Sequence, residues 1–212
     1  MIAPTSKRYL YIELIILFLI IPVLLVVPGL PFWVKIFPVV TGFTYVLFII
    51  YSYSKFKFFK PEKKVLPYFG KTLLIRFIPI VIAGTAFVYF FSPQDFFGLV
   101  RNDISLWATI LFVYSVGSVL PQEVIYRNFF YKRYRKLFNN TYTYIVINAL
   151  LFALCHLFLK SWIVLLMTFV GGILFAMTYE KTKSTFLVTV EHSLYGLWLF
   201  TAGIGGLLAF PS

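Results

Sequence analysis

Residues 9–27 read YLYIELIILFLIIPVLLVV, a stretch in which Glu13 is the only charged residue. An α-helix rises about 1.5 Å per residue, so roughly 20 apolar residues cross a hydrocarbon core about 30 Å thick. The stretch is therefore predicted to span a membrane as one helix. Lys7 and Arg8 precede it as they would in a signal peptide, but the apolar run is long for one and no small-x-small cleavage site follows. We expect a retained anchor.

Six further apolar stretches of this kind follow along the chain. They are residues 33–53, 72–91, 104–130, 142–159, 162–179 and 186–210. The last contains Gly203, Gly205 and Gly206 and can break there into two, which would give eight spans instead of seven. The connections are too short for a separate soluble domain, and the chain is 61% hydrophobic, more than a soluble fold of 212 residues can bury. We predict one all-α domain over residues 1–212, a polytopic transmembrane helical bundle of seven to eight spans.

The basic residues are distributed unevenly between the two sides of this predicted bundle. If the N-terminus is cytoplasmic, fourteen of them lie in inside segments and three in outside segments, as the positive-inside rule requires. The inside set is Lys7, Arg8, Lys55, Lys57, Lys60, Lys63, Lys64, Lys71, Lys132, Arg133, Arg135, Lys136, Lys181 and Lys183, and the outside set is Lys35, Arg101 and Lys160. The net charge of +12 is thus explained by topology and by contact with anionic lipid headgroups, with no nucleic acid as partner. We expect an integral protein of a bacterial inner or plasma membrane.

A few ionisable side chains lie inside the predicted spans. They are Glu123 and Arg127 in LPQEVIYRNFF, His156 in LLFALCHLFL and His192 in FLVTVEHSLYGLWLF, and the chain has no other histidine. A charged side chain at the bilayer centre costs about 2.5–3.5 kcal/mol on insertion scales, so such residues normally face one another or a water-filled cavity. Their presence predicts a functional site.

These residue types are compatible with more than one kind of site. On an α-helix Glu123 and Arg127 would be neighbours on one face, where they either brace the helix or present an oriented carboxylate. If His156 and His192 converge on Glu123, the three could hold a water between a base and an imidazole, or ligate a metal as a His₂Glu set. The chain has no HExxH and no GxSxG motif, which argues against zincin and serine-hydrolase sites.

The same residues form three motifs in a fixed order along the chain. Gln122-Glu123-Val-Ile-Tyr-Arg127, Phe152-Ala-Leu-Cys-His156 and His192-Ser-Leu-Tyr-Gly196 resemble the EExxxR, FxxxH and HxxxN motifs of the CPBP family. These are the CAAX-protease and bacteriocin-processing (Abi) intramembrane proteases. The resemblance covers residues 121–196, within a motif-bearing core of about residues 104–205. It implies a conical bundle with a cavity open to the cytoplasmic side, and an endopeptidase that hydrolyses a membrane-associated protein or peptide substrate.

The resemblance also implies a role for each motif residue. Glu123 would polarise the hydrolytic water, Arg127 would hold Glu123 in position, and Gln122 would hydrogen-bond the water or the substrate carbonyl. His156 and His192 would bind the water or stabilise the oxyanion. No cofactor is certain, and participation of a divalent metal such as zinc is left open. The resemblance does not identify the substrate, and CAAX processing is not assumed.

Two positions depart from the family pattern. Gln122 replaces the first glutamate, usually taken to activate the water, and an amide cannot serve as a general base; Gly196 replaces the asparagine. Glu191 could supply a substitute carboxylate, but we expect it to face an Arg or Lys of a neighbouring span. The departures keep open a non-catalytic alternative, a pseudoprotease or a membrane scaffold. A proton-coupled transporter ranks third, since the sequence shows no repeated halves.

Overall fold

The computed structural model describes residues 6–53 and 61–208, and over these residues the chain is helical without a strand. The predicted all-α class is confirmed. Lys55, Lys57 and Lys60 of the predicted inside set, and the predicted end of the seventh span at residue 210, lie outside the described residues.

Six helical stretches of the described chain are long and apolar enough to cross a membrane. They are Lys7–Val26, Phe32–Ser52, Lys63–Phe91, Ile104–Leu137, Thr141–Leu159 and Trp162–Thr182. They correspond to the first six predicted spans and confirm an integral membrane protein. The third begins before the predicted residue 72 and the fourth ends after the predicted residue 130. Lysine and arginine are good helix formers whose stems reach along apolar surface, so these basic turns continue the helices.

The helices are interrupted by π-helical and 3₁₀ turns. In chain order they are α1 (Lys7–Ile15), α2 (Ile21–Val26), α3 (Phe32–Tyr53), α4 (Leu66–Phe91), α5 (Gly98–Asn102), α6 (Ile104–Val113), α7 (Leu120–Glu123), α8 (Phe130–Tyr134), α9 (Thr141–Leu154), α10 (Trp162–Thr182) and α11 (Thr185–Ala202). The π-helical turns are Ile16–Ile20, Tyr114–Val119 and Val124–Phe129, and the 3₁₀ turns are Lys63–Val65, Pro93–Asp95, Arg135–Leu137, Leu157–Leu159 and Gly205–Leu208.

Two of the π-helical turns are followed closely by a proline. Pro22 and Pro121 have no amide N–H, and the ring of each collides with the carbonyl four residues earlier, so the regular α-helical ladder cannot continue. The turn Tyr114–Val119 therefore precedes α7, the short helix that carries Glu123. π-turns within helices frequently accompany functional sites.

The seventh predicted span is a helix that ends earlier than residue 210. α11 stops at Ala202, and Gly203 follows it with φ of +120°, a conformation that favours glycine. A 3₁₀ turn begins at Gly205. The helix thus ends at the glycines, where the sequence allowed a break, and the described residues after them form this 3₁₀ turn and no further spanning helix. α11 is not one of the six strongly apolar stretches, because polar residues that include Glu191 and His192 lie in its middle.

The described chain divides into two compact units. The first comprises residues 6–53 with 125–177, and the second residues 61–124 with 178–208. In the first, the buried ring of Phe18 meets Phe130 edge-on with 5.0 Å between centroids. In the second, α4 packs against α11. Each unit carries its own share of the motif residues.

Candidate active site

Glu123 and His192 form a buried pair within the second unit. Glu123 ends α7 with no exposed surface, and His192 lies in the middle of α11 with 8% exposed. His192 Nδ1 is 2.8 Å from Glu123 Oε1. With Glu123 as a carboxylate, which only accepts hydrogen bonds, Nδ1 carries the proton and donates it, and Nε2 is then the basic nitrogen of a neutral imidazole. The structure thus brings together two of the predicted catalytic residues.

Gln122 lies next to Glu123 and is held by its own helix. Its Nε2 donates to Ser118 Oγ at 2.9 Å, one turn earlier. Its Oε1 is buried without a hydrogen-bond partner among the described residues. In this orientation the open atom is an acceptor, which suits a water or a substrate N–H better than the substrate carbonyl.

Tyr114 is a site residue that the sequence analysis missed. Its ring is buried and meets the His192 ring edge-on at 6.2 Å between centroids. A Cβ added to Gly196 would overlap the Tyr114 hydroxyl oxygen. No larger residue fits at position 196 while Tyr114 keeps this place, and a hydroxyl occupies the space where the family pattern puts an asparagine. The only signal in the sequence is the glycine itself.

Glu191 precedes His192 on α11 and belongs to a separate polar cluster. It has no exposed surface, and its Oε1 accepts from Arg76 Nη1 of α4 at 3.0 Å and from the Tyr195 hydroxyl at 2.8 Å. Arg76 Nη1 also donates to Thr178 Oγ1 at 2.8 Å. As expected from the sequence, Glu191 faces an arginine of a neighbouring span.

Arg127 lies in the first unit with its side chain fully buried. It donates from Nη1 to Asn148 Oδ1 of α9, whose Nδ2 in turn donates to the Tyr126 carbonyl at 2.9 Å. The guanidinium carbon lies 4.9 Å from the centroid of the Phe152 ring, a cation–π contact. The sequence analysis placed Glu123 and Arg127 on one face of an α-helix. Val124–Phe129 is a π-helical turn, so that α-helical spacing does not apply between them. The role of Arg127 in holding Glu123 stays a prediction.

His156 follows α9 in the first unit and is held by the other end of its own motif. Its Nδ1 lies 2.9 Å from the Phe152 carbonyl oxygen and 3.4 Å from Cys155 Sγ. Its ring meets the Phe152 ring at 5.0 Å. When Nδ1–H donates to that carbonyl, Nε2 is the acceptor atom. Phe152 thus contacts both Arg127 and His156, and the FxxxH spacing places a carbonyl where it orients the histidine.

A catalytic metal ion requires several donor side chains close together. Among the residues that the structure describes, no group of three or more His, Cys, Asp or Glu side chains is arranged to hold a metal ion. Glu123 and His192 supply two donors, whereas catalytic zinc sites use three protein ligands. Among the described residues this pair alone does not make a zinc set, and the steps proposed below use no metal.

Residues 104–198 match the family model described as type II CAAX prenyl endopeptidase, Rce1-like. Over these residues, a little under half of its length, the chain is similar to that family. The match includes all three motifs, from Gln122 to Gly196, and confirms the resemblance drawn from them. The CAAX protease family acts on membrane-associated protein or peptide substrates. No curated protein and no solved structure matches the chain.

Proposed function

We propose that the protein is an intramembrane endopeptidase that hydrolyses a peptide bond in a membrane-associated protein or peptide. The observation that carries the proposal is the buried pair of Glu123 and His192, 2.8 Å apart, inside a segment that matches a protease-family model. A buried carboxylate and imidazole in hydrogen-bond contact are the elements of general acid–base catalysis.

In this proposal Glu123 and His192 work as one acid–base unit. Glu123 keeps the proton on Nδ1, so Nε2 takes a proton from the water as its oxygen attacks the scissile carbonyl carbon. The carboxylate stabilises the imidazolium that forms. Nε2–H then returns the proton to the amine nitrogen as the C–N bond breaks, which leaves a carboxylic acid and an amine. The sequence resemblance assigns the base role to Glu123 alone; the hydrogen bond between the two residues is the reason to treat them together.

The remaining residues are proposed to position the water and the oxyanion. Tyr114 offers a hydroxyl beside the His192 ring as the donor that Gly196 cannot supply. Gln122 Oε1 is proposed as an acceptor for the water. The roles of His156 in stabilising the oxyanion and of Arg127 in orienting Glu123 are carried over from the family motifs as proposals.

The proposed setting of the reaction is a bacterial inner or plasma membrane with the N-terminus in the cytoplasm. The positive-inside distribution of lysine and arginine supports this orientation. Anionic lipid headgroups are the proposed partners of the basic segments.

The direct test is cleavage of a candidate peptide in detergent by the wild type, Glu123→Ala and His192→Ala. Each substitution is expected to lower kcat/KM by about 10²–10⁴-fold, the usual contribution of a positioned acid–base group. Glu62→Ala is the matched control, because this exposed carboxylate pairs only with Lys64 among the contacts described and should be without effect. Equal cleavage by the wild type and Glu123→Ala would refute the proposal.

The double variant separates a joint role from two independent ones. Residues that act as a unit show strongly non-additive losses. Glu123→Ala/His192→Ala is therefore expected to be no slower than the slower single variant. Losses that multiply would show that the two residues act in separate steps.

A second candidate, a non-catalytic pseudoprotease or scaffold, is favoured by Gln122. Gln122→Glu restores the family residue beside Glu123. A large gain in hydrolysis would mark the natural chain as a disabled relative, whereas unchanged or lower activity would support a site that works with glutamine.

A further inference from the structure

A cavity of about 550 Å³ in the first unit combines cationic and apolar walls. Its cationic side chains are Lys7, Lys132, Arg133 and Lys136, and none of the described residues that line it is an Asp or Glu. Neither Glu123 nor His192 lines it, so the cavity is distinct from the proposed catalytic pair. Its charge favours an anionic ligand.

The arginine in this wall is held rigidly by a buried carboxylate. Arg133 donates from Nε and Nη2 to the two oxygens of Glu13, at 2.8 Å each. The hydroxyls of Tyr45 and Tyr134 also donate to Glu13, at 2.6 Å each. Glu13 offsets the charge of Arg133, so the excess positive charge of the cavity comes from its lysines.

These lysines lie at the ends of spanning helices. Lys7 begins the first spanning stretch, and Lys132 and Lys136 are near the end of the fourth, which stops at Leu137. Ile50, also in the lining, is near the end of the second. The start of the first span and the ends of the second and fourth are on the same side of a membrane when each stretch crosses it once. The cavity therefore lies at the level of the lipid headgroups.

Apart from the buried Asn128, the rest of the lining is apolar. Leu10, Ile49, Ile50 and Phe129 are buried, and Leu137 is half-buried. A free phosphate ion gains no binding energy from apolar side chains, whereas a phospholipid carries a phosphate and hydrocarbon chains in one molecule. Basic pockets between spanning helices are known to bind anionic headgroups. We propose that the cavity is a saturable binding site for an anionic phospholipid, with the phosphate at the lysines and the start of an acyl chain against the apolar wall.

The test measures lipid binding and is independent of peptidase activity. The full chain in a neutral detergent is titrated with phosphatidylglycerol or with phosphatidylcholine of the same acyl chains, and native mass spectrometry counts the bound lipid. One phosphatidylglycerol is expected to bind about tenfold or more tightly than phosphatidylcholine. Lys132→Ala/Lys136→Ala should weaken it by roughly tenfold or more, since each basic residue near an anionic headgroup contributes several-fold to affinity.

The matched control is Lys63→Ala/Lys71→Ala, which removes two exposed lysines that do not line the cavity and should leave binding unchanged. Equal weakening by both double variants would overturn the proposal, because it would indicate diffuse attraction to the whole basic surface. Equal affinity for the two lipids would overturn it as well. Glycerol phosphate that displaces the lipid at equal concentration would identify a free-phosphate site instead.

Discussion

Gly196 and Tyr114 limit how α11 can pack at the position of His192. An added Cβ at position 196 overlaps the hydroxyl and the adjacent ring carbons of Tyr114. Gly196→Ala is expected to lower stability by about 1–3 kcal/mol, the usual cost of overpacking a filled interior, and to lower activity by displacing the ring beside His192. The midpoint of thermal unfolding in detergent measures the first effect, and peptide cleavage the second.

Two comparisons make this prediction specific. Gly70→Ala is the control, since a Cβ there meets nothing within 4 Å and should be neutral or slightly stabilising. In Tyr114→Ala/Gly196→Ala the overlap is gone, so the loss should be smaller than the sum of the two single losses. Additive losses would show that the two positions do not interact.

At the residue scale, the sequence predicted candidate site residues but not the residues that surround them in the fold. Glu123 and His192 stand out in apolar spans because charge is costly there, yet their pairing joins positions 69 apart, and only packing decides that. Tyr114 is one of 15 tyrosines, and no local pattern separates it from the others. The FxxxH motif separates Phe152 and His156 by four residues, about one helical turn. This spacing brings His156 Nδ1 to the Phe152 carbonyl oxygen.

At the scale of helices, the ion pair between Arg76 and Glu191 joins α4 to α11. Removing one partner leaves a buried charge unmatched, so Arg76→Leu is expected to cost about 3–5 kcal/mol of stability. Arg76→Leu/Glu191→Leu removes both charges and should unfold near the wild-type midpoint. A double variant that is as unstable as both single losses combined would show that the pair does not couple the helices.

The exposed pair of Lys64 and Glu62, 2.7 Å apart, is the control for this cycle. Pairs in contact with water contribute about 0–1 kcal/mol, so Lys64→Leu should shift the unfolding midpoint little.

Glu191 neighbours His192 in sequence, and its loss should therefore also reduce cleavage. Activity that recovers with stability in the double variant would show that Glu191 affects the site only through the packing of α4 against α11.

The helix boundaries show where hydropathy stops being informative. Apolar runs predicted the six spans, but basic turns extend the third to Lys63 and the fourth to Leu137. The π-helical turns around α7 were not predicted from apolar periodicity, because their cause is local backbone chemistry such as that of Pro121. They matter for the site, since they break the regular four-residue spacing after Glu123.

At the scale of the whole molecule, the predicted topology makes the two sides of the membrane experimentally distinguishable. Cys155 is the only cysteine, so Cys155→Ala gives a background without a thiol. Single cysteines are then placed at the exposed positions Lys136, Lys160 and Lys183. With a cytoplasmic N-terminus, a membrane-impermeant maleimide should label Lys160→Cys on intact cells, and Lys136→Cys and Lys183→Cys only after permeabilisation.

The pattern of labelling tests two properties separately. One spanning stretch, Thr141–Leu159, separates Lys136 from Lys160, and another, Trp162–Thr182, separates Lys160 from Lys183. Position 160 must therefore differ from the other two in either orientation. Labelling of positions 136 and 183 but not 160 on intact cells would agree with the six spanning stretches but place the N-terminus outside. The site would then have no support for a cytoplasmic location. Labelling of all three from one side would contradict the spans themselves, because a helix that crosses the bilayer cannot leave both its ends in the same compartment.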